Sequence, residues 1–163
     1  MTNRKDVEGT LARWFAVDAI GQLGVFTGAY AAWPASVFTD YSVVDAADEL
    51  LAAAPPVTKG QPSARQRELR RSSTPNPLWD RPPTTDFPLV EASQGLFSFD
   101  ADIGYGGSTV YYLDAFPEVP LLLADAHPAI RRAALMVTFA QVRFSAVEQI
   151  DLAEHVAFVV GNG

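Results

Sequence analysis

The sequence predicts a single α+β domain with a mainly antiparallel sheet, two or three helices and a long proline-rich insert. Its 163 residues are 48% hydrophobic, which suits one compact domain with its own core. Strand-like runs occur in two blocks, residues 11–27 and 95–113, and helix-like segments lie outside them. Because strands and helices do not alternate along the chain, an antiparallel sheet is favoured over a doubly wound parallel one.

The first block of strands predicts a β-hairpin. Aromatic and β-branched residues fill segments 11–17 and 22–27, and Asp18 and Gly21 supply the residue types of a turn. Pro34 lacks a backbone N–H and therefore predicts a loop that leaves the sheet. The next apolar residues recur at helical spacing, so a helix is expected from a cap at Thr39 or Asp40 to about residue 54.

The proline-rich insert is residues 55–88, which hold eight of the 12 prolines in the chain. The insert carries six basic and three acidic residues, whereas the remainder carries six basic and 16 acidic residues. The motif Ser63-Ala64-Arg65-Gln66 resembles a capping box and predicts a short basic helix over residues 64–71. We expect the insert to lie across one domain, residues 1–163, and not to link two domains.

The second block of strands predicts another hairpin. Residues 95–100 and 109–113 have strand composition, and the glycine-rich loop between them favours a turn over a phosphate-binding loop, because a strand and not a helix follows it. His127 and Pro128 predict the start of a helix, with His127 in a capping or surface position. The last twenty residues are compatible with a further strand or with a packed tail.

Composition and charge restrict the class of protein. The net charge of −7 disfavours binding to nucleic acid, whose affinity for proteins comes largely from Lys and Arg. The same charge would attract a basic protein, although it would also be expected of a chain that is acidic for solubility alone. The chain has no cysteine, no membrane-length apolar run and no signal-like N-terminal segment, so a cytoplasmic protein is expected.

Known catalytic patterns are not found in the sequence. The two histidines, His127 and His155, have no serine in a nucleophile-elbow motif to work with, and they lack metal-ligand spacing. We therefore expect no metal, no cofactor and no enzymatic activity.

Four acidic residues are candidate functional residues. Asp100 and Asp102 lie at the rim of the glycine-rich loop, and Asp114 and Glu118 lie beyond the following strand. If the two strands form a hairpin, the four side chains are expected to converge at one end of the sheet. They would then bind a basic partner, serve as an acid pair or small-ligand site, or simply face solvent.

Three aromatic residues are candidate anchors for a partner. Tyr30, Trp33 and Tyr41 are concentrated in the loop and helix entrance that follow the first hairpin. Aromatic residues are enriched in the centres of protein interfaces, and they are also common in cores. Both roles remain open at this level.

Two patches of the sequence resemble a known class of protein. Residues 14–18 with 21–27, and residues 95–100 followed by Pro117, Pro120 and a closing helix, are similar to immunity proteins of bacterial polymorphic toxin systems. The patches cover about a third of the chain. The resemblance implies a cytoplasmic protein that binds and blocks a cognate toxin without catalysis, and the proline-rich insert departs from it.

Our hypothesis from the sequence is an immunity-like inhibitor that occludes a basic toxin through an acidic and aromatic surface. The predicted contacts are Asp100, Asp102, Asp114, Glu118, Tyr30, Trp33 and Tyr41. The alternative is a small-ligand-binding protein or carboxylate-based hydrolase that uses the same four acids. A third alternative is a homodimer formed through the aromatic loop, so the sequence leaves monomer and homodimer open.

Overall fold

A computed structural model describes residues 2–72, 86–101 and 106–161. None of the helices in these ranges is long and apolar enough to cross a membrane. The helices are α1 (Arg4–Val7), α2 (Ser42–Ala53), α3 (Ala64–Ser72), α4 (Phe87–Ser93) and α5 (Pro128–Ala134). The strands are β1 (Arg13–Asp18), β2 (Leu23–Thr27), β3 (Trp33–Pro34), β4 (Gly60–Pro62), β5 (Phe97–Ala101), β6 (Val110–Pro117), β7 (Thr138–Phe139), β8 (Gln149–Asp151) and β9 (Phe158–Val159). Short 3-10 helices span Ala35–Thr39, Leu123–Asp125, Phe144–Ala146 and Leu152–Glu154.

Seven strands form one mixed sheet in the order β4-β6-β5-β2-β1-β7, and β8 also pairs with β6. The pairs β2–β5 and β1–β7 are parallel, whereas β1–β2, β4–β6, β5–β6 and β6–β8 are antiparallel. The prediction of a mainly antiparallel sheet is therefore wrong. The parallel pairing of β2 with β5 is possible because a long connection joins these two strands, as a crossover between parallel neighbours requires. The α+β class is confirmed.

The described residues contain more helices than the two or three predicted. α1 has four residues and α4 has seven, so neither is long enough to show a clear helical period in the sequence. α4 packs against β4, β5 and β6, and α2 and α5 pack together beside β1. A separate two-stranded sheet joins β3 to β9 in antiparallel register.

The first predicted hairpin is confirmed as β1 and β2. The Asp18 Oδ1 atom accepts hydrogen bonds from the backbone N–H groups of Ile20 (3.0 Å) and Gln22 (2.8 Å), and this closes the turn. Gly21 has a φ of 87°, a left-handed conformation that glycine adopts without steric cost. Asp18 is itself buried, and its Oδ2 atom accepts a bond from the Phe144 N–H (2.7 Å). The turn is therefore tied to the C-terminal part of the chain.

The start of α2 differs from the prediction. Tyr41, and neither Thr39 nor Asp40, occupies the N-cap position, and it makes no side-chain capping bond. The Asp40 carboxylate instead accepts a bond from the Ser42 hydroxyl (2.5 Å). The end of the helix agrees with the prediction, since the last helical residue is Ala53 and two prolines follow the cap residue.

The insert contributes structure to the domain on both sides of residues 73–85, which lie outside the described residues. β4 forms an edge strand beside β6, and the predicted basic helix is confirmed as α3. The Ser63 hydroxyl oxygen accepts a bond from the Gln66 N–H (3.1 Å), as in a capping box. The Gln66 side chain does not complete the box, because it donates to Asp114.

A stack of aromatic rings forms the centre of the core. Trp14 of β1 lies 4.1 Å from Phe26 of β2, and Phe26 lies 4.7 Å from Phe99 of β5, with interplanar angles of 8° and 5°. These three residues are paired in register on adjacent strands. Tyr111 and Phe144 meet the Phe26 ring edge-on at 5.5 Å and 5.9 Å. The three central strands are therefore joined by ring contacts as well as by backbone hydrogen bonds.

The C-terminal part of the chain is packed against this stack. Phe139 and Phe144 contact Phe26, and Leu152 is fully buried. A Cβ atom on Gly24 would lie 2.9 Å from the Phe144 ring, so the glycine at the second position of β2 makes room for that ring. The last twenty residues thus include both short strands and packed turns.

We predict that Phe26→Ala destabilises the fold by about 3–5 kcal/mol, because it removes the ring shared by every member of the stack and leaves a cavity. Phe87→Ala is the matched control. The Phe87 side chain is 61% exposed, and its loss should change stability by less than about 1 kcal/mol. Urea unfolding followed by fluorescence measures both values, and equal losses in the two variants would contradict the central role of the stack.

Candidate functional site

The three predicted acidic residues that the structure describes, Asp100, Asp114 and Glu118, do not converge at one end of the sheet. Asp100 lies opposite Tyr112 in the β5–β6 pair, near the glycine-rich loop. Glu118 follows the last residue of β6 and is exposed. Six residues of extended chain separate Tyr112 from Glu118, which corresponds to roughly 20 Å. Asp102 lies outside the described residues.

Asp114 lies inside the protein, 5% exposed. The Gln66 side-chain amide donates to its Oδ1 atom at 2.7 Å, and the Arg65 guanidinium lies 3.8 Å from the same oxygen. The backbone carbonyl of Asp114 accepts a bond from the Ser63 N–H (2.8 Å). Asp114 therefore fastens the start of α3 to the middle of β6.

Burial raises the pKa of Asp114 to about 6, and the contacts with Gln66 and Arg65 oppose this effect without cancelling it. The carboxylates of Glu91 and Asp86 raise the pKa further. A carboxyl group with a pKa this close to neutrality can hold or release a proton at physiological pH, which is a property of acid–base groups in enzymes and also of buried structural carboxyls.

A second, partly buried cluster includes Glu91, whose charge acts on Asp114, and was not found by sequence reasoning. The Arg13 guanidinium binds Asp48 at 2.5 Å and Glu91 at 2.9 Å, and the Ser98 hydroxyl donates to the other oxygen of Glu91 at 2.7 Å. Burial raises the pKa of Glu91, and Arg13 and Ser98 partly oppose that shift. Burial alone would lower the pKa of Arg13, but its two carboxylate partners raise it. The cluster joins α2 and α4 to the sheet.

The three predicted aromatic anchors occupy different environments. Tyr30 is 47% exposed, and its backbone carbonyl accepts a bond from the N–H of Gly107, so it lies at the same end of the sheet as Asp100. Trp33 is fully buried and donates from its indole N–H to the Gly28 carbonyl (2.9 Å). Tyr41 is buried in a stack with Phe38 and Trp33. Trp33 and Tyr41 thus pack inside the fold, and Tyr30 is the one of the three that a partner can reach without rearrangement.

Glu118 borders an open groove of about 560 Å³. The buried side chains of Phe97, Leu113 and Phe144 form its floor, and the exposed side chains of Glu118 and Glu148 stand on its rim. Glu148 has no distinguishing pattern in the sequence and was missed there. The full lining comprises Ser63, Ala64, Arg67, Phe97, Leu113, Phe116, Pro117, Glu118, Pro120, Phe144, Ser145, Ala146, Val147 and Glu148.

The histidines have local structural contacts. His127 is the N-cap of α5, as the sequence predicts, and its Nδ1 atom accepts a bond from the Ala129 N–H (3.1 Å). The His155 ring meets Phe139 edge-on at 5.7 Å. Among residues 2–72, 86–101 and 106–161, no group of three or more acidic or histidine side chains is arranged to hold a metal ion.

The chain was compared with protein-family models, with curated proteins and with solved structures, and none of them matched it.

We predict that Asp114→Asn changes the pH dependence of stability. Folding raises the pKa of the Asp114 carboxyl to about 6 from an ordinary value of 3.8, so between these pH values the folded state binds a proton that the unfolded state does not. This proton therefore stabilises the folded state at low pH, and the stabilisation is lost as the pH rises through about 6. The amide keeps an oxygen for Gln66 and does not titrate. The free energy of unfolding of the variant should gain about 2–3 kcal/mol relative to wild type between about pH 4 and pH 7.

The measurement is urea unfolding at both pH values, with Asp125→Asn as the control because Asp125 is exposed. If the free energies of unfolding of wild type and Asp114→Asn differ by the same amount at the two pH values, the pKa of Asp114 is not raised by folding and the prediction is wrong.

Proposed function

We propose that this chain is a binding protein that neutralises a basic protein toxin by steric occlusion, and that the groove beside Glu118 receives the toxin. The observation that carries the proposal is a groove with an apolar floor and two exposed carboxylates, Glu118 and Glu148, on its rim. It belongs to a chain whose net charge is −7. The resemblance to immunity proteins implies the same class of function.

The chemistry of the groove suits an apolar anchor that is flanked by cations. An interface gains most of its affinity from a few side chains that fill desolvated pockets, and the surrounding charged groups provide orientation and a faster association. Phe97, Leu113 and Phe144 offer such an apolar floor. The groove lining includes one cation, Arg67, and two carboxylates, Glu118 and Glu148. Its net charge is therefore negative, which favours contact with a Lys or Arg of the partner.

The predicted contact residues have separate roles in this proposal. Glu118 contacts the toxin directly, and Glu148 is added to the set. Asp100 and Tyr30, at the other end of β5, belong to a separate surface that a large partner would also cover. Asp114 acts from inside the protein by holding α3, whose first turn forms one wall of the groove.

A second candidate function is a carboxylate-based hydrolase, which the raised pKa of Asp114 favours. The Asp114 side chain does not line the groove, and Gln66 and Arg65 cover its carboxylate. A substrate would have to displace these two side chains first. Binding of a protein at the groove needs no such opening and is therefore preferred.

The proposal is tested by charge reversal. Glu118→Lys/Glu148→Lys should weaken binding of the toxin by about tenfold or more, because like charges then face each other across the rim. The matched control is Asp45→Lys/Glu49→Lys, which makes the same change in net charge at two exposed positions of α2 away from the groove. The tagged chain and both variants would be used to capture proteins from its own cells at about 0.1 M and about 1 M salt.

The captured protein would then be expressed in a bacterial host with each form of the chain. The proposal expects a basic, stoichiometric partner that is toxic alone, and growth that is restored by wild type and the α2 variant but not by the groove variant. Equal protection of the host by both variants would contradict the role of the groove in binding. Capture of no basic protein would contradict the proposed function as a toxin inhibitor.

A further inference from the structure

Arg4 lies inside the protein, with 4% of its surface exposed. Its Nε atom donates to the Ala31 carbonyl (2.9 Å), and its Nη2 atom donates to the carbonyls of Gly28 (3.2 Å), Ala29 (2.9 Å) and Ala31 (2.7 Å). The guanidinium carbon also lies 5.0 Å from the centre of the Trp33 ring. These contacts fasten α1 to the loop after β2, and they use two of the three guanidinium nitrogens.

The third nitrogen of Arg4 has no hydrogen-bond partner. Nη1 is enclosed, and no atom of the described residues accepts a bond from it. No carboxylate in the described part of the chain forms an ion pair with Arg4. Burial lowers the pKa of the guanidinium, and the more distant carboxylate of Glu8 raises it without cancelling that effect. A buried cation with an unused donor is unfavourable, and an anion at Nη1 would relieve both costs.

Arg4 also forms part of the wall of a cavity. The cavity measures about 370 Å³, which is within the size range of small-molecule sites. Lys5 and Asn3 line it beside Arg4, so part of the lining is cationic and polar. The rest of the lining is apolar and consists of Ala35, Phe38, Val159 and Val160.

We propose that this cavity binds a small organic acid, with its carboxylate on Arg4 Nη1 and Lys5 and its apolar body against Phe38 and Val159. The guanidinium is a strong partner for a carboxylate because both groups are charged and planar. A bare inorganic anion would leave the apolar walls unfilled, so an acid with a hydrocarbon part is the better fit. Because Nη1 is enclosed, binding requires a small shift of the wall around it. The site is separate from the groove, and it does not depend on the proposed inhibitor function.

The proposal is tested with hexanoate as the probe and hexanol as its uncharged counterpart. Hexanoate at about ten times its Kd should raise the Tm of the full chain by roughly 3–6 °C, and hexanol should raise it little. Ala35→Leu narrows the cavity without removing a hydrogen bond of Arg4, and it should abolish the rise. Arg4→Met should abolish it as well, whereas Arg132→Met, which removes an exposed arginine on α5, should retain it.

The outcomes separate a ligand site from a purely structural arginine. Calorimetric binding of hexanoate to wild type and to Arg132→Met, with no binding to Ala35→Leu, supports the site even if Arg4→Met does not fold. The proposal is overturned if hexanoate does not bind wild type. It is also overturned if hexanoate binds Ala35→Leu equally well, or if hexanol or inorganic phosphate raises the Tm as much as hexanoate does.

Discussion

The stack of Trp14, Phe26 and Phe99 is the interaction on which the rest of the structure depends. It joins β1, β2 and β5, and thus connects the N-terminal hairpin to a strand that returns about seventy residues later in the chain. Large aromatic rings bury much apolar area and also prefer defined ring geometries, so they fix the neighbours as well as the burial of each strand. Tyr111 and Phe144 then bring β6 and the C-terminal segment to the same centre.

The distribution of carboxylates divides this acidic chain into an inner and an outer set. Asp18, Glu91 and Asp114 are buried, and each accepts hydrogen bonds that join separate parts of the chain. Cations or N–H and O–H donors offset part of their desolvation cost, and for Asp114 and Glu91 the remaining cost raises the pKa. Glu118 and Glu148 are exposed, and within the described residues their side chains make no such link between parts of the chain. These two carboxylates are the ones that the proposed partner would contact.

The two proposed sites differ in the physical basis of recognition. The groove is open, has an acidic rim and suits a large basic partner, so its binding should depend strongly on salt. The cavity at Arg4 is smaller and places a buried cation beside an apolar wall. An enclosed charge is screened much less by salt, and hence a ligand there would be selected by its charge and its hydrocarbon part together.

The local sequence determined those turns and helix ends whose hydrogen bonds join residues close together in the chain. The hairpin of β1 and β2 follows from alternating aromatic strands around Asp18 and Gly21, and α3 follows from the Ser63 capping motif. The cap of α5 at His127 belongs to the same class. Each of these depends on hydrogen bonds between residues two to four positions apart, which a local pattern can encode.

Tertiary structure decided the remainder. The parallel pairing of β2 with β5, the burial of Asp114, and the meeting of Glu118 with Glu148 at one groove all depend on contacts between distant parts of the chain. The local sequence around an aspartate in a strand is the same whether its side chain faces solvent or is covered by a helix. The sequence of α3 likewise does not show that this helix packs over Asp114. The sequence by itself therefore determined the fold class and the local turns, whereas the packed sheet decided which acidic residues are buried and which are exposed, because burial is a property of the whole fold.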